Sequence, residues 1–324
     1  MHAEISYGKN QITVYRTYAN AMAGLTPVPE SSFLGRDNTL FAVALDIEVL
    51  GDRFLAAYTL GDNHSLIATD SMKNVVLQQS LAFKGSTLES FLAFLAQQFL
   101  TIYPQIQVLR MTAKEQPFNA VSVLGDDGET FVTSNTLFSR SYNDHSVASL
   151  QVERDEDCMK VVAHQCGREG LQLIKISGSS FQSFVQDTYT TLQEQADRPL
   201  FIYLDVWWKY TNVTHMIEPS LSHYIAAEQV RDIVQAIFHR FASKSIQHLI
   251  YEIGVRLLEQ FQQMAEVSFV AQNRLWDTAC VSDTDPELKI YTDPRPPYGV
   301  IRLTLTRDEL PYVIYSKGKV QDER

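Results

Sequence analysis

The order of elements repeats along the 324-residue chain: in each half, strand-like segments lead into amphipathic helices and then into further strand-like segments. In the first half, Phe41, Val43, Leu45, Ile47 and Val49 alternate with Ala42, Ala44, Asp46 and Glu48, which predicts a half-buried strand. Residues 11–18, rich in β-branched and aromatic side chains, precede it across the turn-forming Thr26-Pro27-Val28-Pro29-Glu30-Ser31-Ser32, so the two pair as a long hairpin. Ser86-Thr87-Leu88-Glu89 reads as a capping box. It opens a helix with apolar positions Leu88, Phe91, Leu92, Leu95 and Phe99, stopped by Pro104. Strands are expected at 106–114, 130–139 and 147–152. The second half predicts strands at 171–176, 201–210, near Val267 and at 300–305. Its two helices carry Val230, Ile233, Val234, Ile237 and Phe238, then Leu249, Ile250, Ile253, Leu257, Leu258 and Phe261. Such an order gives an α+β fold, helices on one face of antiparallel sheets, in two domains, 1–154 and 155–324, divided at the polar run 154–157. Open sheet edges must be covered, and closing several chains into a barrel is one way, so oligomerisation is expected.

Charge and composition remove several partner classes. With 27 Lys+Arg against 38 Asp+Glu the net charge is −11, which repels nucleic acid and anionic membrane surfaces. Apolar runs such as 91–95 stop well short of the ~20 residues that span a bilayer, and Met1-His2-Ala3-Glu4 has no secretory character. Cys158, Cys166 and Cys280 form no Cys-x-x-Cys pair, which suits a reducing compartment. The eight histidines stand singly in sequence, without metal-binding spacing; His164 with Cys166 comes nearest and reads as a strand or loop pair with no ligand role. Neither a dinucleotide fingerprint nor a phosphate loop is present, and Ser177-Gly178-Ser179-Ser180 lacks the second glycine of a nucleophile elbow.

Five places carry candidate chemistry. In Lys244-Ser245-Ile246-Gln247-His248, Ser245 is a natural N-cap, and the free N–H groups of Ile246 and Gln247 attract an anion. The Gln247 amide, a donor and acceptor in one plane, can read the edge of a flat heterocycle; the same pattern also fits an ordinary capped helix with a surface glutamine. Arg198, in Asp197-Arg198-Pro199, offers a planar fork for a carboxylate-like or lactam oxygen, or else a surface ion pair with Asp197 or Glu194. Phe181 supplies a ring to stack on a planar ligand, or a core side chain. Ala68-Thr69-Asp70-Ser71-Met72-Lys73-Asn74 is expected to turn sharply and expose backbone N–H groups and a hydroxyl, or to cap a short helix. Lys9, in Tyr7-Gly8-Lys9, is a base candidate once desolvated, with a threonine hydroxyl as relay, or a solvated edge-strand lysine.

Taken in order, Tyr7-Gly8-Lys9, the 68–74 run, Asp187-Thr188-Tyr189-Thr190-Thr191-Leu192, Asp197-Arg198 and Ser245-Ile246-Gln247 closely resemble the urate oxidase (uricase) family along nearly the whole chain. Residues 226–233, Asn273-Arg274-Leu275-Trp276-Asp277 and Pro294-Arg295-Pro296-Pro297-Tyr298-Gly299 resemble its bacterial, Bacillus-type branch. The resemblance implies tandem tunnelling-fold domains and a homotetramer stacked into a barrel, with active sites at subunit interfaces. It also implies oxidation of urate by dioxygen and water to 5-hydroxyisourate and hydrogen peroxide, without metal or organic cofactor. By the same resemblance Arg198 and Gln247 grip urate, the Ile246 N–H meets a carbonyl and Phe181 stacks. Thr69 and Asp70 arrive from a neighbouring subunit, Lys9 with Thr69 relays a proton, and Asn273 holds dioxygen or water. Many relatives have Asn-Lys-His where this chain has Asn273-Arg274-Leu275, so the third relay position falls to water with Thr69 or to another group. Against this reading stand a purine- or pterin-acting relative of the same fold and a non-catalytic purine-binding protein; a pterin cyclohydrolase would need zinc ligands that the His and Cys spacing does not offer. The ending Gln321-Asp322-Glu323-Arg324 is not a Ser-Lys-Leu address, which favours the cytoplasm.

Overall fold

A computed structural model describes residues 5–156 and 158–309; residues 1–4, Asp157 and 310–324, with the readings of both chain ends, lie outside the described residues. The chain forms two compact units. Unit one takes the residues up to 27, with 33–167 and 210–225; unit two takes 28–32, 168–209 and those from 226 on.

In unit one, β1 (Ser6–Thr17) and β2 (Leu40–Leu50) form the expected hairpin, antiparallel from Thr17↔Leu40 to Ser6↔Leu50. β3 (Val108–Glu115) pairs with β2, β6 (His145–Asp155) with β3, and the sheet continues into the first part of β7 (Cys158–Lys175). The period-two reading of β2 holds: Val43, Leu45, Ile47 and Val49 are fully buried. After α1 (Leu55–Thr59), α2 (Thr69–Ser80) packs against β1 and α3 (Leu88–Ile102) against β3 and β6, and Leu92, Leu95 and Phe99 of α3 are equally buried. Each of these side chains contributes roughly 1.5–3 kcal/mol by leaving water.

Local details depart from the sequence reading. The α3 cap is Thr87, one residue later than expected: its Oγ1 accepts from Ser90 N–H at 3.2 Å, and Ser90 Oγ accepts from Thr87 N–H at 3.4 Å. Glu89 is unavailable for capping because its buried carboxylate accepts from Tyr224 Oη at 2.8 Å. Of the two readings of the 68–74 run, a sharp turn or the start of a short helix, the helix is the one found: the run begins α2, twelve residues long and without a side-chain cap. Residues 131–140 form β5 (Phe131–Arg140), paired not with the main sheet but with β4 (Phe118–Leu124), a strand the alternation did not reveal. β7 starts well before 171 because Gly167, Arg168 and Gly170 mask its apolar pattern, not its pairing.

In unit two the order is β7, β8 (Leu200–Tyr210), β9 (Met264–Asn273) and β12 (Gly299–Thr306), with β12 antiparallel to β9 from Asn273↔Gly299 to Glu266↔Thr306. α4 (Thr214–Ile217) follows β8 and belongs to unit one. α5 (Ala227–Arg240) and α6 (Ile246–Gln260) pack together, and α6 lies on β9 and β12. Ile233, Val234, Ile250, Ile253 and Leu257 on the helices, and Val206, Val267 and Ala271 on the strands, are all fully buried. A small hairpin of β10 (Asp277–Val281) and β11 (Lys289–Thr292), exposed along all of β10 and the first half of β11, was not legible in the sequence. The observed class is α+β. Among the described residues no helix is long and apolar enough to cross a membrane.

Gly8 shows why the β1–β2 pair needs a glycine beside Lys9. A Cβ at Gly8 would lie 1.7 Å from the Ile47 carbonyl oxygen and 2.7 Å from its carbon, and both are backbone that cannot rotate away. Gly8→Ala is therefore expected to force the strands apart and to destabilise unit one by about 3 kcal/mol, lowering the thermal midpoint by roughly 10 °C. Circular-dichroism melting checks this; an unchanged midpoint would contradict the close approach.

Candidate active site

The predicted residues fall into two groups, one in each unit. In unit one, Lys9 is half-buried on β1, opposite Ile47 and just before a bulge that runs to Ile12. The bulge is fixed by Gln11, whose φ is 57° and whose N–H donates to Asp46 Oδ1 at 2.6 Å. Two residues earlier, Tyr7 Oη accepts the Ile67 N–H at 2.8 Å, and its ring packs edge-on against Phe54 with centroids 5.1 Å apart. Burial pushes the Tyr7 phenol above its ordinary range, so it stays neutral. This bond ties the Lys9 strand to the residues that enter α2.

Thr69 and Asp70 are the first two residues of α2. Ala68 gives no side-chain cap, so the N–H groups of Thr69, Asp70 and Ser71 precede the first helical bond, Met72 N–H to Ala68 O at 3.2 Å. Thr69 is half-buried, while Asp70 is exposed and takes Lys73 Nζ at 2.6 Å and Asn74 Nδ2 at 3.0 Å. The Lys73 ammonium chiefly holds the Asp70 carboxyl below its usual range, and the more distant Lys9 adds to it. Tyr7→Phe removes the acceptor for the Ile67 N–H and is expected to cost about 1–2 kcal/mol of stability by freeing the entry of α2 from β1. Circular-dichroism melting reads this out, and an unchanged midpoint would show that the tie is dispensable.

In unit two, Arg198 is 8% exposed, its Nε is buried without a hydrogen bond, and it forms no ion pair among the described residues. Burial draws its guanidinium below the ordinary arginine range. Neither carboxylate expected to neutralise it does so. Asp197 Oδ1 accepts from Gly178 N–H at 2.6 Å and Ser179 N–H at 3.3 Å, and Glu194 Oε1 accepts from Ser183 N–H at 2.8 Å. The Arg198 Cζ lies 5.2 Å from the centre of the Phe181 ring, and that half-buried ring stacks on Phe184 at 4.9 Å and 14°.

Hydrogen bonds join this pair to the start of α6. Arg198 N–H donates to Ser179 O at 2.8 Å, Ser180 N–H to Ser243 O at 2.9 Å, and Ser243 Oγ to Ser179 Oγ at 3.2 Å. Two residues on, Ser245 caps α6 as expected, accepting His248 N–H at 3.1 Å, which leaves the Ile246 and Gln247 N–H groups without helical acceptors. Ile246 is buried and Gln247 is exposed. Gln247 lines a cavity of about 340 Å³ with Tyr251, Ile301, Arg302 and Leu303, and Arg198 and Phe181 are not among its walls.

Asn273 ends β9, and its buried Oδ1 has no hydrogen-bond partner among the described residues. The next residue brings this end of β9 to the start of β8, since Arg274 N–H donates to Phe201 O at 2.9 Å, three residues beyond Arg198. The Arg274 guanidinium is clamped 3.5 Å from the Tyr298 ring centre and 4.3 Å from that of Tyr203, and donates to Gln272 Oε1 at 2.6 Å. Leu275 follows, partly exposed. Sequence reasoning missed Tyr7, Ser179, Ser243 and Arg274, because each acts through a partner distant in the chain. It also treated the histidines as isolated, whereas His215, Glu218 and His223 place their ligand atoms within 4.8 Å of one another.

In unit two, then, an uncompensated guanidinium, an aromatic ring, an open helix start and an unpartnered amide are linked by backbone hydrogen bonds. Such a set suits a flat, electron-rich anion. Comparison with known proteins agrees. The uricase family profile matches residues 5–137 and 164–302. The uric acid degradation bifunctional protein of Bacillus sp. strain TB-90 is 42% identical over 94% of this chain, which spans only 61% of that relative's length. The uricase of Halalkalicoccus jeotgali is 41% identical, with 94% of this chain and 99% of the relative covered. A crystal structure of Bacillus sp. TB-90 urate oxidase superposes with a TM-score of 0.90 at 42% identity, over 94% of this chain and 99% of that one. With motif order, fold and profile in agreement across both units, the chain belongs to the uricase family.

Proposed function

We propose that this chain oxidises urate with dioxygen and water to 5-hydroxyisourate and hydrogen peroxide, using no metal or organic cofactor. The observation that carries the reading is Arg198, a buried cation with no counter-ion among the described residues, over the Phe181 ring and joined through Ser179 and Ser243 to the segment that opens α6. In this reading the Arg198 fork and the Gln247 amide grip the oxypurine edge, the Ile246 N–H stabilises a carbonyl oxygen, and Phe181 lies against the ring face. The concentrated positive potential favours the urate dianion, lowering the free energy of removing a second proton. Lys9 accepts that proton through the Thr69 hydroxyl. With Leu275 at the position of the relatives' histidine, the protein part of the relay ends at these two residues and water completes it.

The dianion then passes an electron to dioxygen held over the ring by Asn273, and the radical pair recombines as a hydroperoxide at a ring carbon. Water displaces hydrogen peroxide, leaving the hydroxyl. Confining both reactants supplies much of the acceleration, because well-oriented neighbours can replace about 7 kcal/mol or more of activation entropy.

The quaternary reading belongs here too. Tandem tunnelling-fold units would assemble as a homotetrameric barrel, with Thr69 and Asp70 of a second copy completing each site. Two sheet ends support this, since among the described residues β1 terminates the strand order of unit one and β12 that of unit two, edges that another copy could cover. A cytoplasmic setting fits the free thiols of Cys166 and Cys280. The test is direct: loss of urate's ultraviolet absorbance with stoichiometric oxygen uptake and peroxide release, by a species that sizes as a tetramer. Urate binding without oxygen uptake would instead mark a purine-binding protein.

A further inference from the structure

His215, Glu218 and His223 lie on one short stretch of unit one, and no step of the proposed oxidation uses them. Their ligand-capable atoms all fall within 4.8 Å of one another. The two imidazoles stack, with centroids 4.6 Å apart and 23° between planes, and His223 Nδ1 sits 3.5 Å from Glu218 Oε1. Both His215 Nδ1 and Glu218 Oε1 are buried and have no hydrogen-bond partner among the described residues. Buried polar atoms in that condition are uncommon, and each needs a physical reason.

The frame around the cluster is anchored on both sides. Upstream, Thr214 N–H donates to Asn212 Oδ1 at 3.0 Å, Glu218 N–H to Thr214 O at 2.9 Å, and buried Met216 meets the Cys166 thiol at 3.5 Å. Downstream, the buried Tyr224 hydroxyl donates to Glu89 at 2.8 Å, and Ile225 N–H donates to Tyr210 Oη at 2.8 Å. Core contacts on either side thus bring the three side chains together. Two imidazole nitrogens and one carboxylate oxygen make a donor set for a first-row divalent cation, zinc foremost, with solvent able to supply the fourth ligand. The His223 side chain is 58% exposed, which gives an ion a way in.

We propose that His215, Glu218 and His223 form a divalent metal site that closes the 215–223 segment on itself. Its role is structural, and urate turnover does not pass through it. Chelator-stripped protein titrated with zinc chloride against a chromophoric competitor is expected to take up one zinc per chain at micromolar or tighter affinity. The thermal midpoint should rise with zinc concentration. His223→Ala, at an exposed position that folding does not need, and Glu218→Gln should each weaken that uptake at least tenfold and abolish the thermal shift. Urate turnover should be the same for wild type and His223→Ala, with or without zinc, so a failed metal test leaves the oxidation reading untouched. Zinc uptake unaltered by both substitutions, or none below millimolar concentration, would overturn the proposal.

Discussion

Arg198→Ala is expected to lower kcat/KM for urate by about 10³-fold, roughly 4 kcal/mol of lost transition-state stabilisation. The guanidinium is buried and, among the described residues, has no carboxylate partner and no acceptor for Nε, so its favourable interactions are expected to come from a ligand. For the same reason the variant should fold: removing a buried charge that no protein group neutralises leaves no orphaned partner behind. Its thermal midpoint should stay within a few degrees of wild type, since the backbone N–H of residue 198 still reaches Ser179 O. Arg198→Lys keeps a charge but loses the planar fork, and should recover only a fraction of the lost rate. Wild-type kinetics in either variant would remove Arg198 from the site.

Lys9→Met should leave KM within a few-fold of wild type and depress kcat by about 10²- to 10⁴-fold, the usual worth of a positioned proton acceptor. Lys9 is on a strand whose neighbours are fixed by the Gln11 bulge and the Tyr7–Ile67 bond, so methionine should occupy the same place without its nitrogen. Raising the pH should restore part of the variant's rate, because more urate then arrives already deprotonated and needs the lysine less. A variant with full turnover and an unaltered pH profile would assign the proton to another group.

The elements that could be read directly were those whose signal is local. The alternation through β2 and the three- and four-residue spacing through α3, α5 and α6 report burial on one face, which the chain determines over a few turns or pleats. Ser245 was legible as a cap for the same reason, since acceptor and donor are three residues apart. Short strands with little burial, β4, β10 and β11, gave no such signal: they are mostly exposed and bury no continuous face to report.

The tertiary structure decided everything that depends on a choice among competing partners. Glu89 could have capped α3, but Tyr224 reaches it first across the core, and the cap passes to Thr87 and Ser90. Asp197 could have neutralised Arg198, yet the turn at Gly178 and Ser179 presents two N–H groups to its carboxylate and leaves the guanidinium without a counter-ion. His215 and His223, isolated by sequence spacing, meet because core contacts on both sides bend the segment between them. A polar side chain has several possible partners of similar strength, and only the folded backbone's geometry selects which of them is near enough to bind.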